Sequence, residues 1–126
     1  NQKLEDFDDR TIDFCQGITL HHLPGHTDGL IGMQINLPDS GTFFFISDHC
    51  HVIENVIFLF LTIEYIADVE QWRDGIPQGW LARDHPAWFQ STQRLKRLER
   101  TTRGRVIPGH DEETFLALQK EKDVFT

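Results

Sequence analysis

Hydrophobic and polar residues alternate over the first third of the chain, which is the pattern of β-strands with one buried face. Ile18 and Leu20 alternate with polar residues until Pro24 and Gly25 impose a turn. From residue 31 to residue 37, every second side chain is apolar, and a Pro-Asp-Ser-Gly turn follows at 38–41. The pattern predicts two strands, with the first leading to His26 on a loop and the second entering a hairpin.

A further strand and a helix follow from the same reading. The run Thr42–Ser47 is apolar on both faces, which predicts a central strand covered on both sides and ending at Asp48. Asp84 before Pro86 is a helix opening, and residues 88, 92, 95 and 98 form an apolar stripe. We expect Gly104 to end this helix, residues 105–107 to form a short strand before His110, and residues 112–122 to form a surface helix.

Three strands thus lead through a turn or polar switch to a metal-binding type of side chain, at His26, Asp48 and His110. Neutral imidazole and carboxylate are good ligands for zinc and similar divalent ions. Spacing alone does not show that the three meet, and scattered histidines in a soluble chain are more often surface or supporting groups.

The local sequences around these residues resemble those of the metallo-β-lactamase superfamily. The segment 23–29 (LPGHTDG) is similar to its metal-binding histidine loop, 44–48 (FFISD) to its strand before the bridging carboxylate, and 106–111 (VIPGHD) to its last histidine segment. The order is also the same. Segments 17–22 and 53–55 look most like the N-acyl homoserine lactonase branch, and the resemblance extends from Ile12 to Phe115.

The resemblance implies an α/β fold, half of a four-layer αββα sandwich, and metal-dependent, quorum-quenching hydrolysis of a lactone or related ester. Two zinc ions would be the cofactors, with His26 on the first ion, Asp48 bridging both, and His110 on the second. Another hydrolase of the superfamily, such as a glyoxalase-II-like thioesterase, is the alternative, because the metal motifs are shared whereas the substrate pocket is not.

Two departures from the family pattern concern the site. The signature His-X-His-X-Asp-His occurs nowhere in the 126 residues, so this chain alone does not complete a two-metal site. His51 stands where such lactonases usually have a tyrosine that contacts substrate. An imidazole there could donate a hydrogen bond or act as an acid near neutral pH, so His51 is the candidate catalytic residue, although a partly exposed histidine with no role fits as well.

A third departure is the segment 56–71, which we interpret as an insertion. Our hypothesis is a translated intron, because valine codons begin with GT, glutamine can be encoded by CAG, and Ala67-Asp68 can be encoded by GCTGAC, which contains a plausible branch-point sequence. A buried strand or helix is the alternative, since Ile57–Leu61 would pack well.

We expect residues 1–126 to form one partial domain, the C-terminal half of the fold, because the chain begins at Asn1 and lacks the signature motif. For the isolated chain, a noncatalytic fragment that exposes an apolar half-sheet is the second interpretation. Of the neighbouring histidines His21 and His22, we expect one to face solvent and the other to support the metal loop. The basic residues between 94 and 105 are expected on a solvated helix exterior.

Composition limits the partners. A net charge of -8 and a pI near 5.2 disfavour nucleic acid and anionic membranes, because an acidic surface repels phosphates. The apolar stretch Val56–Ile63 is far shorter than the about 20 residues that span a bilayer. Two cysteines and no leader sequence favour a reducing, cytoplasmic location. These observations leave a small-molecule or neutral partner, and the family resemblance implies that it is a lactone or ester. The sequence does not indicate an oligomeric state.

Overall fold

The computed structural model describes residues 11–50 and 82–126 of the chain. These residues form a five-stranded sheet and two α-helices. The elements in chain order are β1 (Thr11–Cys15), β2 (Ile18–His22), β3 (Ile31–Leu37), β4 (Gly41–Phe45), α1 (His85–Thr102), β5 (Arg105–Ile107) and α2 (Glu112–Glu121). A single 3-10 turn, Ser47–His49, follows β4 within these ranges.

The strands lie in the order β1-β2-β3-β4-β5. The first four are antiparallel neighbours, whereas β5 pairs parallel to β4, with Phe44 opposite Val106. A parallel pair needs a crossover connection, and α1 lies in that connection. The carboxyl ends of β4 and β5 therefore meet at the same edge of the sheet. That edge receives the segments that follow Phe45 and Ile107.

The predicted strands at 18–22, 31–37 and 105–107 and the helix that begins after Asp84 are confirmed, and the strand predicted at 42–47 is found at Gly41–Phe45. Asp84 caps α1 by accepting a hydrogen bond from the backbone N–H of Ala87. The predicted helix end at Gly104 is wrong, because Arg103 takes the left-handed conformation, with φ 54°. Gly104 is needed for space instead: a Cβ there would lie 2.5 Å from the ring of Phe44.

The hydrophobic core lies between the sheet and α1. Phe44 on β4 and Leu95 and Trp88 on α1 are at most 3% exposed. The remaining buried apolar residues of this cluster are Leu23, Ile46, Cys50, Ala82 and Val106. The expected amphipathic stripe of α1 is the face that packs here, so apolar periodicity located the helix correctly.

The opposite face of the sheet is apolar, and in the described part of the chain it is open at three positions, although Phe43 on the same face is buried. Ile31 and Met33 on β3 and Phe45 on β4 are 42%, 39% and 42% exposed. The predictions of a buried Ile31–Leu37 face and of a β4 covered on both sides are therefore wrong at these positions. The reason is that α1 packs on the other side of the sheet, which carries Gly32 and Phe44. Alternation of apolar and polar residues distinguishes the two faces of a strand but does not show which face another element will cover.

A partly buried polar contact joins α1 to β2 through Arg94, which corrects the prediction of a solvated exterior for this residue. Arg94 donates to the backbone oxygen of His22 at 2.9 Å and lies 3.2 Å from Nδ1 of His21. His21 is 2% exposed, and its Nε2 lies 2.8 Å from Oε1 of Gln34. Since the guanidinium only donates, Nδ1 of His21 accepts and Nε2 carries the proton.

Burial of Lys96 is a second correction to that prediction. Lys96 is 2% exposed although its charge suggested a solvent-facing position. Burial lowers the pKa of its ammonium group to about 8. The other basic residues of this region, Arg97, Arg100, Arg103 and Arg105, are exposed, as expected. Arg105 forms a two-bond pair with Glu121 on α2. No helix within residues 11–50 or 82–126 is long and apolar enough to cross a membrane.

Acid should weaken the fold through His21. Burial, followed by the neighbouring Arg94, lowers the pKa of His21 in the folded chain below 6.5, while the hydrogen bond to Gln34 and the charge of Asp13 oppose this shift. The unfolded chain therefore binds the proton first as pH falls through 6.5, and stability is lost from there down to the folded pKa, by up to about 1.4 kcal/mol per pH unit.

Urea unfolding between pH 7.5 and 5.5 measures this loss, and His21→Gln should show a shallower decline than the unsubstituted chain. His85→Gln, at an exposed position, is the control and should leave the slope unchanged. Equal slopes for His21→Gln and the unsubstituted chain would contradict the assignment.

Candidate metal centre

The three predicted ligands meet at the edge of the sheet where β4 and β5 end. Asp48 lies in the turn after β4, His110 follows β5 after Pro108-Gly109, and His26 lies on the loop between β2 and β3. Nε2 of His110 is 2.8 Å from Oδ1 of Asp48, and Nε2 of His26 is 3.7 Å from Oδ2 of the same carboxylate. Two imidazoles thus approach the two oxygens of one carboxylate.

The site is open to solvent. The side chains of His26, Asp48 and His110 are 18%, 43% and 60% exposed. Exposed charge pairs of this kind contribute little to stability, about 0 to 1 kcal/mol. The attraction between these three side chains is therefore too weak to hold them together. Their positions must be fixed by the backbone segments that carry them.

The loop that carries His26 is closed by its own backbone. The N–H of Leu23 donates to the oxygen of Leu30 at 2.9 Å, and the N–H of Gly25 donates to Thr27 at 3.2 Å. The imidazole of His22 reaches the backbone oxygen of Asp28 at 2.5 Å, so His22 supports the loop as expected. The expectation that its neighbour faces solvent is wrong, because His21 is buried against Arg94.

The first turns of α1 hold this loop in place. The backbone oxygen of Gly25 accepts hydrogen bonds from the N–H groups of Arg83 and Asp84, at 2.8 and 3.0 Å. Ser91 donates to the oxygen of Pro24 at 2.7 Å. Gly25 has φ 141°, and a Cβ there would lie 2.3 Å from the Cα of Trp88. Only glycine fits this contact between loop and helix.

The turns that carry Asp48 and His110 are bonded to each other. The N–H of Gly109 donates to the backbone oxygens of Ser47 and Cys50, at 3.1 and 3.2 Å. A Cβ on Gly109 would lie 2.7 Å from the Ser47 oxygen. Ser47 itself has φ 49°, an uncommon conformation for a residue with a side chain. The backbone therefore fixes the separation of the Asp48 and His110 segments.

The two residues that follow Asp48 in the chain, His49 and Cys50, are buried and neutral. Burial, and to a lesser degree the nearby His26, lowers the pKa of His49 to about 3. Burial raises the pKa of the Cys50 thiol to about 12, so this cysteine is no thiolate nucleophile. The packing of His49 against α1 was not expected from the sequence. A Thr on the apolar stripe of α1, at position 92, was the available sign of a buried polar partner.

The donor types fit a divalent metal, with one adjustment. As they stand, no three His, Cys, Asp or Glu side chains within residues 11–50 and 82–126 are arranged to hold a metal ion. Donors on one zinc ion lie about 3.3 Å apart, given bonds of about 2.1 Å. The His26–Asp48 separation of 3.7 Å is close to this, whereas the His110–Asp48 hydrogen bond at 2.8 Å would have to open slightly. His51 and the segment 56–71 lie outside the described residues.

An apolar trough of about 770 Å³ adjoins His110. It runs along the open face of the sheet, and its polar end is next to the candidate centre. Its lining includes Leu20, Met33, Phe45, Ile107, His110 and Phe115. An apolar surface that ends at a cluster of polar groups is a common form of small-molecule site.

Solved structures share this fold. A Bacillus thuringiensis AiiA structure with N-decanoyl-L-homoserine at its active site matches at TM-score 0.62 and 23% identity, over 91% of this chain and 37% of that one. An N-acyl homoserine lactone hydrolase with N-hexanoyl-L-homoserine at its catalytic metal center matches with the same values. AidC, a dizinc quorum-quenching lactonase, matches at TM-score 0.52 and 18% identity, over 78% of this chain and 28% of that one.

The sheet and its helices form part of a metallo-β-lactamase fold. The chain spans a little over a third of the length of the first of these structures, 37%. The α/β architecture expected from the sequence is thus confirmed as a partial metallo-β-lactamase fold with a five-stranded mixed sheet. No protein-family profile and no curated protein sequence matches the chain.

Substitution of Gly25 by alanine should strongly destabilise the fold. The added methyl group would meet the backbone of Trp88 while the residue is held at a positive φ, and the two effects together cost on the order of 3 kcal/mol. Urea unfolding measures the loss. Gly29→Ala is the matched control, because a Cβ there meets nothing within 4 Å. Equal stability of the two variants would contradict the proposed contact.

Proposed function

We propose that the protein is a metal-dependent hydrolase of a lactone or related ester, with His26, Asp48 and His110 as metal ligands. The observation that carries the proposal is the approach of two imidazoles to the two oxygens of Asp48. The fold shared with N-acyl homoserine lactone hydrolases supports the lactone as substrate class.

Each residue has a distinct role in this proposal. Asp48 offers one oxygen toward each histidine, so its carboxylate can be shared between two ions. The trough beside His110 would hold the apolar part of a substrate. His51 would donate a hydrogen bond to the carbonyl or leaving group. When bound, divalent ions such as zinc would lower the pKa of a water toward neutrality and polarise the carbonyl.

The number of donors limits how many ions this chain can hold. Catalytic zinc commonly has three protein ligands and one open position. With Asp48 shared, His26 and His110 would each give a different ion one imidazole, so each ion would have two of these donors. A two-zinc site, like that of AidC, needs donors beyond these three.

Zinc titration by calorimetry tests the ligand assignment. We expect the chain to bind Zn²⁺ and the variants His26→Ala, Asp48→Asn and His110→Ala to bind at least tenfold more weakly, because each removes one of few donors. His85→Ala and Asp123→Asn, both at exposed positions, are the matched controls and should bind like the unsubstituted chain. Unchanged affinity in all three ligand variants would reject the site.

Hydrolysis assays with the zinc-supplemented chain separate the substrate classes. We expect the unsubstituted chain to open N-hexanoyl-L-homoserine lactone faster than the variant Asp48→Asn does, because the variant lacks a proposed metal ligand. The acyl chain of this substrate suits the apolar trough next to the site. Faster hydrolysis of a glutathione thioester than of the lactone would favour the thioesterase alternative.

A noncatalytic fragment is the second candidate, and the open apolar sheet face favours it. Ile31, Met33 and Phe45 expose about two-fifths of their surface. Apolar patches of this kind promote association. Concentration-dependent light scattering together with absence of both zinc binding and turnover would support the fragment and reject the hydrolase for this chain.

A further inference from the structure

The side chain of His49, which follows Asp48, packs against α1 and is hydrogen-bonded to it. His49 is 0% exposed, and its ring stacks on Trp88, with the ring centroids 5.3 Å apart and the planes 23° apart. Nε2 of His49 lies 2.8 Å from the hydroxyl of Thr92. The indole N–H of Trp88 donates to the backbone oxygen of His49 at 2.7 Å. One helix thus holds both the ring and the main chain of this residue.

The hydrogen bonds determine which nitrogen of His49 carries the proton. The hydroxyl of Thr92 donates to the backbone oxygen of Trp88 at 2.9 Å, so toward His49 it accepts. Nε2 of His49 is therefore the N–H donor, and Nδ1 holds the lone pair. Nδ1 is buried and has no hydrogen-bond partner within the described part of the chain. In this buried position, the His49 ring is neutral and forms one hydrogen bond, to Thr92.

Packing alone does not require a histidine here. A buried imidazole loses its hydration and leaves one nitrogen unpaired, whereas an apolar ring of similar size would fill the space without that cost. Unlike an apolar ring, the imidazole forms a hydrogen bond to Thr92. This bond fixes the rotation of the ring and thereby the conformation of the turn Ser47–His49.

That turn is also held on its other side. The N–H of Ile46 donates to Ile107, and Gly109 donates to Ser47, so β5 and its following turn fix one flank of Asp48. The bonds from α1 to His49 fix the other flank. The carboxylate of Asp48 lies between these two attachments and contacts His26 and His110.

We propose that His49 is a positioning residue that, through Thr92 and Trp88, holds the carboxylate of Asp48 between His26 and His110. The inference rests on the proposed metal site for its functional meaning. It assigns to His49 no contact with metal or substrate. Hydrogen bonds from surrounding groups commonly orient metal ligands, and their loss typically weakens metal binding by about 10- to 100-fold.

The decisive variant is His49→Phe. It keeps an aromatic ring against Trp88 and leaves the Thr92 hydroxyl bonded to the Trp88 oxygen, so the chain should stay folded. We expect Zn²⁺ affinity to fall about tenfold or more, and the visible spectrum of bound Co²⁺ to change, while the urea midpoint does not fall. A merely structural residue would lower the midpoint and leave the Co²⁺ spectrum of the folded chain unchanged.

Variants of the partner test the same contact from α1. Thr92→Val removes the acceptor for Nε2 and should reproduce the loss of affinity, whereas Thr92→Ser keeps the hydroxyl and should restore it. Thr101→Val, at an exposed position of the same helix, controls for the exchange of threonine for valine.

Amide hydrogen exchange without metal separates this inference from the proposed function. In His49→Phe, the amides of residues 49 and 109 should exchange about tenfold faster, while that of Phe44 in the sheet stays unchanged. Unchanged exchange and unchanged affinity would overturn the positioning role. If the unsubstituted chain binds no zinc, the proposed function fails, and the exchange rates still decide whether His49 holds the turn.

Discussion

The contact between Gly25 and the first turn of α1 is the constraint on which the candidate centre depends. At this point a loop backbone lies against a helix backbone with no room for a Cβ. The same two helical turns hold the turn after β4 through Trp88 and Thr92. The His26 loop and the Asp48 turn are thus both held by α1. The turn that carries His110 is hydrogen-bonded to the Asp48 turn through Gly109.

Much of this arrangement could be predicted from the sequence because local rules govern it. Alternation located the strands, Asp84 and Pro86 marked the start of α1, and the Pro-Gly pairs before His26 and His110 marked the turns that present them. The convergence of the three ligands depended on a family resemblance, since sequence spacing contains no information about which strands become neighbours. The parallel pairing of β4 with β5 supplies that information.

The errors have a common physical origin, which is that residue type does not determine which surface another element will cover. Met33 is apolar and exposed, whereas Lys96 is charged and buried. Arg94 reaches across the helix–sheet interface to His22 because its long side chain can carry the charge away from the position of its own Cα. The wrong prediction for Gly104 has a related cause. Sequence rules predicted that this glycine ends the helix, whereas in the structure its lack of a Cβ leaves room for the Phe44 ring.

The two buried residues that follow Asp48, His49 and Cys50, do not compete with a cation for its carboxylate. His49 is neutral near physiological pH, since burial lowers its pKa to about 3, and Cys50 is a neutral thiol. Neither adds a positive charge next to the carboxylate. Lys96 interacts electrostatically with Cys50, and its pKa of about 8 leaves it largely protonated at neutral pH, but the chain as a whole, with net charge -8, attracts cations.

The parallel pairing of β4 with β5 also has a kinetic consequence. Asp48 and His110 are 62 residues apart in the chain, and they meet only when α1 has returned the chain to the sheet. Contacts of such separation incur a large loop-closure entropy before they contribute any stabilisation. The pairings among β1 to β4 join strands that are adjacent in sequence, so they can form before β5 docks. We therefore expect the centre to be completed late in folding, and a nascent chain to bind cations there only after β5 has docked.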